Sequence, residues 1–238
     1  IGSNGSGKST LFNNLMGILK STEGEILYNG EQIKYDKKSL YNLRKEVGIV
    51  FQDPEKQIFY SMVYDDIAFA LRNIGMDEKT IKDRIHTALE AVNGLQFIDR
   101  PVHNLSFGQK KRVAIASVVA MENKLVLLDE PTAGLDPIST RAIVDIIKGL
   151  NDRGVKIIIS SHDMNLIYEI CDYVYVLNQG VLINEGTRAE VFVNEEKINE
   201  AGLELPWLVK LHKNMGLPLF PKEEDLYSFW NKQAQKTV

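Results

Sequence analysis

The chain has 238 residues, enough to bury a sizeable core, and no apolar run approaches the roughly 18 residues that a membrane span requires. Lys and Arg number 28 against 32 Asp and Glu, a formal net charge of −4, which argues against a protein that coats nucleic acid, since such proteins carry a strong basic excess. Cys171 is the only cysteine, so an internal disulfide is impossible, and we expect a reducing compartment and a small buried side chain just after a helix.

The first half of the chain alternates between helical and strand periodicity. The elements predicted there, in chain order, are a helix from Ser9 to Leu19, a hairpin from Glu25 to Tyr35 with Asn29-Gly30 at its turn, a strand from Val47 to Phe51, a helical region from Asp53 to about His103, and within it a helix capped by Asp77 and running to about Val92. A helix is predicted from Lys110 to Met121, and its apolar segment from Val113 to Met121 is predicted to be buried.

The second half repeats the alternation of strands and helices. The elements predicted there are a strand from Leu125 to Leu128 buried on both faces, a helix from Pro137 to Leu150 with proline in its first turn, a buried strand from Val155 to Ser160, and a hairpin from Tyr173 to Asn184 with Asn178-Gln179-Gly180 at its turn. This order predicts an α/β fold with a parallel central sheet flanked by helices. The composition changes after Asn194, so we predict one domain over residues 1–194, with a helical part at about 53–121, and an extension over residues 195–238.

A phosphate-binding loop is predicted at the start of the chain, where Gly2-Ser3-Asn4-Gly5-Ser6-Gly7-Lys8-Ser9 fits the pattern G-x-x-x-x-G-K-[ST]. Glycines allow successive backbone N–H groups to point at phosphate oxygens, and the N-terminus of the following helix adds a favourable dipole. Lys8 would reach the β- and γ-phosphates and the Ser9 hydroxyl would bind Mg²⁺. Because such a loop follows a strand and only Ile1 precedes it, we expect the leading strand to lie upstream of this sequence. The alternative interpretation of this segment is a flexible glycine-serine terminus. A signal peptide is not predicted, because Ile1 to Thr10 lacks an apolar core.

Further candidates for the same site lie at the ends of predicted strands and at one helix start. Asp129 and Glu130 close the buried strand, where an open α/β sheet places its ligands, so Asp129 would hold Mg²⁺ and Glu130 would deprotonate an attacking water. The alternative for this pair is a surface turn before Pro131. Ser106 is predicted to cap a helix, with Gly108 permitting close backbone approach, and capping alone would explain Ser106. Gln52 and His162 each follow a strand and are weak candidates individually.

Taken in order, these motifs, together with Gly134-Leu135-Asp136, resemble the full motif set of the ATP-binding-cassette (ABC) ATPases over Ile1 to about Phe192. The resemblance implies a P-loop fold with a parallel sheet, a small antiparallel β part and a helical signature subdomain. It implies that Lys8 and Ser9 belong to Walker A, that Asp129 and Glu130 form Walker B, and that the cofactors are ATP and Mg²⁺. The remaining residues implied to contact nucleotide are Gly2, Ser3, Asn4, Gly5, Ser6, Gly7, Thr10, Gln52, Ser106, Gly108, Gln109, Asp136 and His162.

The resemblance also implies catalytic roles for Lys8, Glu130, Gln52 and His162, with Gln52 as the Q-loop glutamine and His162 as the switch histidine. Ser9, Gln52 and Asp129 are the implied metal ligands. A head-to-tail dimer is implied, homodimeric or heterodimeric, in which Ser106 and Gly108 complete the ATP site of the other subunit and Asp136 lies in the D-loop.

Three segments are similar to the energy-coupling-factor subfamily, and most similar to the ATPase subunits of cobalt or nickel importers. They are Phe51-Gln52-Asp53-Pro54-Glu55-Lys56-Gln57-Ile58-Phe59, Asp65-Asp66-Ile67-Ala68-Phe69 and Gln109-Lys110-Lys111-Arg112-Val113-Ala114-Ile115-Ala116. This similarity implies a transmembrane coupling subunit and a substrate-binding membrane subunit as partners, a peripheral position on the cytoplasmic face of the membrane, and a C-terminal extension that contacts the dimer partner. It leaves the solute open among cobalt, nickel and vitamins. Phe107 stands where the family usually has glycine, and the adenine-stacking residue is expected upstream of the loop.

Two other functions compete with a transport motor. An ABC ATPase that acts on DNA would need a long coiled coil between Walker A and the signature, and one that acts on the ribosome has two cassettes; the sequence shows neither sustained heptads nor a second cassette. A regulatory partner that binds nucleotide without hydrolysing it is disfavoured by Glu130 and His162.

Overall fold

The computed structural model describes residues 1–234, so the last four residues of the predicted extension lie outside the described residues. Within the described part of the chain no helix has the length and apolar character needed to span a bilayer. The helices are α1 Lys8–Leu15, α2 Lys37–Glu46, α3 Val63–Asn73, α4 Glu78–Ala91, α5 Phe107–Ala120, α6 Pro137–Asp152, α7 Met164–Ile170, α8 Arg188–Val193, α9 Glu195–Glu200, α10 Trp207–Met215 and α11 Glu223–Ala234. The strands are β1 Leu27–Tyr28, β2 Glu31–Gln32, β3 Val47–Val50, β4 Leu125–Asp129, β5 Lys156–Ser160, β6 Tyr173–Asn178 and β7 Val181–Thr187.

The chain divides into two compact units. The middle unit comprises Ser9–Ser160, and the terminal unit comprises Ile1–Lys8 together with the described residues from Ser161 onward. The architecture is mixed α/β, with a parallel sheet, surrounding helices and small antiparallel sheets, as the sequence predicted.

A three-stranded parallel sheet organises the middle unit, with the strand order β3-β4-β5. The central strand β4 is buried over Val126 to Asp129, which agrees with its continuous apolar run. The prediction that β5 is a buried strand is wrong, because Ile158 is 41% exposed and the strand alternates in burial. Among the described strands β5 pairs only with β4, so it forms an edge of this sheet.

The small hairpin of the middle unit confirms the predicted tight turn. Strands β1 and β2 pair antiparallel, and Asn29 and Gly30 between them have φ of 52° and 82°. Positive φ at both central residues is the geometry of a type I′ turn, for which Asn-Gly is favoured.

Helix α1 ends earlier than predicted, at Leu15 instead of Leu19. Gly17 takes a left-handed φ of 62°, and the N–H groups of Ile18 and Leu19 both bond to the carbonyl of Asn13. A glycine in this conformation just past the last turn ends a helix, although Ile18 and Leu19 continue the apolar pattern.

Three helices, α3, α4 and α5, pack together as the helical part of the middle unit. Asp77 caps α4 by accepting a hydrogen bond from the backbone N–H of Thr80, which confirms the predicted cap. Helix α5 begins at Phe107, three residues before the predicted start at Lys110, because Ser106 supplies the cap.

The terminal unit is built on the antiparallel pair β6–β7 and helices α7 to α11. Gln179 and Gly180, with φ of 48° and 80°, form the turn of this hairpin, which was predicted, and β7 extends to Thr187. The backbone of Ile1 lies alongside β6, since its carbonyl accepts from the N–H of Leu177 at 2.8 Å. Cys171 is half-buried at the end of α7, and burial raises the pKa of its thiol to about 11.

Candidate functional site

The predicted phosphate loop curls within the terminal unit into the N-terminus of α1. Gly5 and Gly7 have φ of 82° and 103°, values that side-chain-bearing residues rarely adopt. The Lys8 ammonium is buried and donates to the carbonyl oxygens of Gly2 at 2.7 Å and Ser3 at 3.1 Å. A Cβ on Gly5 would meet no atom within 4 Å, so the loop is open at this glycine, as a backbone that receives a phosphate must be.

Close packing on the other side of the loop requires glycine at position 2. A Cβ there would lie 2.3 Å from Ser6 Oγ and 2.5 Å from the carbonyl oxygen of Leu177. The Ser6 carbonyl accepts from the N–H of Gly180 at 3.0 Å, which anchors the loop on the β6–β7 turn. Ser6 Oγ is buried and has no hydrogen-bond partner in the structure. An orphaned hydroxyl within the loop fits a site completed by a polar ligand.

The terminal unit brings His162 to the same cavity as two residues of the loop. Ser3, Asn4 and His162 line a cavity of about 460 Å³ together with residues of the C-terminal region, among them Trp207. His162 is exposed and lies just before the cap of α7, where Asp163 accepts from the N–H groups of the first turn. The sequence order gives no hint of this proximity beyond the motifs themselves.

Ser9 and Thr10 lie in the first turn of α1, at the start of the middle unit, and both are exposed. The Thr10 carbonyl accepts from Asn14 Nδ2 at 2.9 Å, an ordinary contact within a helix. Their hydroxyls are therefore placed at a helix N-terminus, the position where the loop pattern predicts them.

The acidic pair lies at the carboxyl end of the central strand of the middle unit. Asp129 ends β4 and pairs in register with Ser160 of β5, whose hydroxyl donates to Asp129 Oδ1. Glu130 follows with a left-handed φ of 48°, and its N–H bonds to the carbonyl oxygen of Ser160 at 3.0 Å and to Ser160 Oγ at 3.2 Å. Asp129 and Glu130 are both buried, so the alternative of an exposed surface turn is wrong.

Lys111, which the sequence analysis did not single out, also contacts the acidic pair. Its side chain is 0% exposed, and Nζ donates to the carbonyl oxygen of Glu130 at 2.7 Å. Burial lowers the pKa of Lys111 to about 8, opposed by the nearby charges of Glu130 and Asp129. The available signal was helical spacing, because Lys111 shares a stripe of α5 with the buried residues Ala114 and Ile115.

Ser106 caps α5 as predicted. The N–H of Gln109 donates to Ser106 Oγ at 3.3 Å and the N–H of Ser106 donates to Gln109 Oε1 at 2.9 Å, which together form a capping box. A Cβ on Gly108 would lie 3.0 Å from Ser139 Oγ, so glycine permits close approach of α5 and α6. Phe107, the departure from the family pattern, packs against Gly134, where an added Cβ would lie 3.4 Å from its ring.

Gln52 and Asp136 lie on loops of the middle unit. Gln52 is exposed just after β3, and Asp136 caps α6 by accepting from the N–H of Ser139 at 2.9 Å and from its hydroxyl at 2.6 Å. The hydrogen bond from the Ser139 side chain holds the pKa of Asp136 below its ordinary value. A capping role therefore accounts for this carboxylate in the isolated chain.

Gln57, to which the sequence assigned no role of its own, holds the segment around Gln52. Its Oε1 accepts from the N–H of Phe51 at 3.0 Å and its Nε2 donates to the carbonyl oxygen of Ala114 in α5 at 3.1 Å.

Within residues 1–234 no group of three or more His, Cys, Asp or Glu residues could hold a metal ion. Mg²⁺ does not need such a group, because it is commonly bound by one or two carboxylates or hydroxyls with nucleotide phosphates and water.

A parallel sheet with an acidic pair at the end of its central strand, and a glycine loop that enters a helix, define an ATPase of the P-loop class. A family model described as "ABC transporter" matches residues 1–133, more than half of the chain. The chain is 48% identical, over 98% of its own length and 86% of the relative's, to the cobalt import ATP-binding protein CbiO of Salmonella typhimurium. It is also 48% identical, over 89% of its length and 76% of the relative's, to the energy-coupling factor transporter ATP-binding protein EcfA of Methanocaldococcus jannaschii.

Among solved structures, cbiO1 from Clostridium perfringens, described as part of the ABC transporter complex cbiONQ, superimposes with a TM-score of 0.76. It is 43% identical to this chain, and the match covers 90% of this chain and 85% of that one. The chain therefore belongs to the ABC transporter ATPase family, and the resemblance found in its sequence is confirmed.

Proposed function

We propose that this chain hydrolyses ATP to energise a membrane importer of the energy-coupling-factor type, with cobalt, another transition metal or a vitamin as the solute. The names of the CbiO and EcfA relatives support the class of transporter. The observation that carries the ATPase assignment is the buried pair Asp129 and Glu130 at the carboxyl end of β4, where open α/β sheets place their ligands.

The phosphate loop binds the nucleotide in this proposal. Backbone N–H groups from Gly2 to Gly7 surround phosphate oxygens, and the Lys8 ammonium leaves the carbonyl oxygens of Gly2 and Ser3 to contact the β- and γ-phosphates. The left-handed glycines, the open space at Gly5 and the orphaned Ser6 hydroxyl all fit this role. Thr10 adds a hydroxyl one residue beyond the loop.

Ser9, Gln52 and Asp129 would hold Mg²⁺. Oxygen atoms from a hydroxyl, an amide and a carboxylate are the ligands that this hard cation prefers. When bound, Mg²⁺ neutralises negative charge on the phosphate oxygens. Ser160 supports Asp129 by donating its hydroxyl to Oδ1, which orients the carboxylate.

Glu130 and His162 carry out the chemistry with Lys8. The Glu130 carboxylate accepts a proton from the attacking water, Lys8 and His162 hold the oxygens of the γ-phosphoryl group, and Gln52 positions the water and the metal. Two donors, Lys8 and His162, and the base Glu130 would together stabilise charge where it develops in the transition state.

A head-to-tail dimer completes each ATP site in this proposal. Ser106, Gly108 and Gln109 of one subunit contact the nucleotide held by the loop of the other, because the capped N-terminus of α5 is exposed and favours an anion. Asp136 lies in the loop that faces the partner. The extension from residue 195 onward adds dimer contacts.

The membrane subunits dock on the segment from Gln52 to Met62, on the cytoplasmic face of the membrane. Phe59 is 67% exposed there, and its ring contacts that of Tyr60 in a tilted arrangement at 5.4 Å and that of Phe69 edge-to-face at 5.0 Å between centroids. Exposed aromatic side chains that hold one another in place are typical anchors of protein interfaces. Gln57, two residues before Phe59, is hydrogen-bonded to α5, so the docking segment is held against the signature helix.

The test replaces Glu130 with Gln and compares it with Glu90→Gln, a matched change at an exposed glutamate of α4. We expect Glu130→Gln to bind ATP with wild-type affinity, to lose turnover by at least about 100-fold and to form dimers when ATP is added. Glu90→Gln should behave as wild type in all three measurements. Wild-type turnover in Glu130→Gln would refute the assignment.

A further inference from the structure

None of the roles assigned above uses Lys111, a fully buried lysine of the signature helix α5. Lys111 is 0% exposed, on the face of α5 that carries Ala114 and Ile115. Burying a lysine is costly unless its charge is compensated, so such residues are rare in protein cores. Here the ammonium lies near the charges of Glu130, Asp129 and Asp53. A cost of this kind indicates a function other than filling space.

The Lys111 ammonium holds one backbone atom of Glu130. Nζ donates to the Glu130 carbonyl oxygen at 2.7 Å, while the N–H of the same residue bonds to Ser160. Glu130 has a left-handed φ of 48°, a conformation that is uncommon for non-glycine residues. The hydrogen bonds from Lys111 to its carbonyl and from its N–H to Ser160 hold it on both sides.

The direction of the Glu130 side chain follows from this backbone conformation. A carboxylate attached to an extended residue at the end of β4 would leave the strand in a different direction, because side-chain direction is set by the backbone angles. Lys111 reaches the carbonyl from α5, the helix that Ser106 caps. The hydrogen bond therefore fixes Glu130 relative to the signature helix of the same subunit.

We propose that Lys111 is a positioning residue for ATP hydrolysis, and that its hydrogen bond to the Glu130 carbonyl aims the Glu130 carboxylate at the attacking water. This inference rests on the role of Glu130 proposed above. Lys111 touches neither the nucleotide nor the water in this proposal, so it acts on the rate of the chemical step and not on ATP affinity.

The experiment compares Lys111→Met, which keeps the volume and removes the donor, with Lys111→Gln, which retains an N–H donor. The matched control is Lys124→Met, at an exposed lysine of the same unit whose ammonium pairs with Glu46 at 3.1 Å. The measurements are the kcat of the full chain, the Kd for ATP and the melting temperature. Lys111→Met removes a charge that lies near Glu130, Asp129 and Asp53 and leaves the Glu130 carbonyl without its donor, so we expect a lower melting temperature. The kcat is therefore compared between folded proteins only, with Lys111→Leu as a second apolar variant and Lys111→Gln as the variant that keeps a donor.

We expect the apolar variant to lose about 10- to 100-fold in kcat, the size of effect seen when a supporting contact behind a functional group is removed, with Kd for ATP within about twofold of wild type. Lys111→Gln should recover most of the loss and Lys124→Met should match wild type. Wild-type kcat in the folded apolar variant, or equal losses of kcat and ATP affinity, would overturn the positioning role. Failure of the proposed function is distinguishable, since the wild-type chain would then show no turnover that depends on Glu130.

Discussion

Asp66 provides the sharpest test of how the exposed aromatic cluster is supported. This carboxyl is 7% exposed in the first turns of α3, and its Oδ1 accepts from the N–H of Phe59 at 3.0 Å and of Tyr60 at 3.2 Å. Burial raises the pKa of Asp66, and this effect is opposed by the two backbone hydrogen bonds and by a hydrogen bond from the Ser117 side chain. Both backbone bonds end on the same oxygen, so an amide oxygen can replace it.

We therefore expect opposite results from two substitutions at pH 7. Asp66→Asn keeps an acceptor at the Oδ1 position and removes a buried charge, so its stability should equal or exceed that of wild type. Asp66→Ala leaves the N–H groups of Phe59 and Tyr60 without their acceptor. Two hydrogen bonds at about 1 kcal/mol each amount to about 2 kcal/mol, which corresponds to a fall of roughly 4–8 °C in melting temperature for a chain of this size.

Thermal unfolding followed by circular dichroism measures both effects, with Asp65→Ala as the control. The Asp65 side chain is 46% exposed, and its ion pair with Arg72, at 3.4 Å, is of a kind that contributes about 0–1 kcal/mol. The raised pKa of Asp66 also sets a pH dependence. The folded-state value lies above the unfolded one, so the favourable contribution of the neutral acid is complete at low pH and is lost as the pH rises through the folded-state pKa. The advantage of Asp66→Asn should thus shrink on acidification, and an alanine variant as stable as the asparagine variant would refute the reasoning.

Three further predictions concern packing, reactivity and one buried hydrogen bond. Gly48→Ala should lower the free energy of unfolding by about 1–3 kcal/mol in a denaturant titration, because the new Cβ would lie 2.3 Å from Val118 Cγ1, and an unchanged midpoint would contradict the packing. Cys171 should react slowly with iodoacetamide at pH 7.5 and much faster once the chain is unfolded, because its raised pKa keeps the native thiol protonated. Tyr168→Phe should cost about 1–2 kcal/mol, seen as a lower melting temperature, because it removes the hydrogen bond to the Phe220 carbonyl at 3.1 Å.

Local patterns predicted the parts of the fold that depend on neighbouring residues. The turn at Asn29-Gly30 and the caps at Asp77 and Ser106 are set within four residues of sequence, and the structure confirms all three. The end of α1 was missed because apolar periodicity continues past Gly17, while the left-handed conformation of that glycine decides where the helix stops.

Burial of a strand depends on its place in the sheet and not on its own residues. The apolar run of β4 and the apolar run of β5 read alike, yet Val126 to Leu128 are buried and Ile158 is exposed. The difference arises because β4 has a partner on each side among the described strands and β5 has one. A single sequence does not show strand order, so both runs were predicted to be buried.

A single sequence also does not show which distant residues contact a motif, and this is why some members of the site were predicted and others were missed. Asp129 and Glu130 belong to a motif that can be read along the chain, but the residues that orient them come from 30 and 19 positions away. Ser160 arrives through the register of β4 with β5, and Lys111 through the packing of α5 on the end of the sheet. Both side chains act on the backbone or the carboxyl of the acidic pair and would contact no phosphate, so no nucleotide-binding pattern includes them. A residue of this kind can be recognised in the sequence when a polar side chain stands at a position where the pattern predicts an apolar one. Lys111 stands at such a position, on the buried stripe of α5. Since such a residue is costly to bury without compensation, an isolated charge on an apolar stripe marks a position whose contacts should be examined, as the contact between Lys111 and Glu130 illustrates.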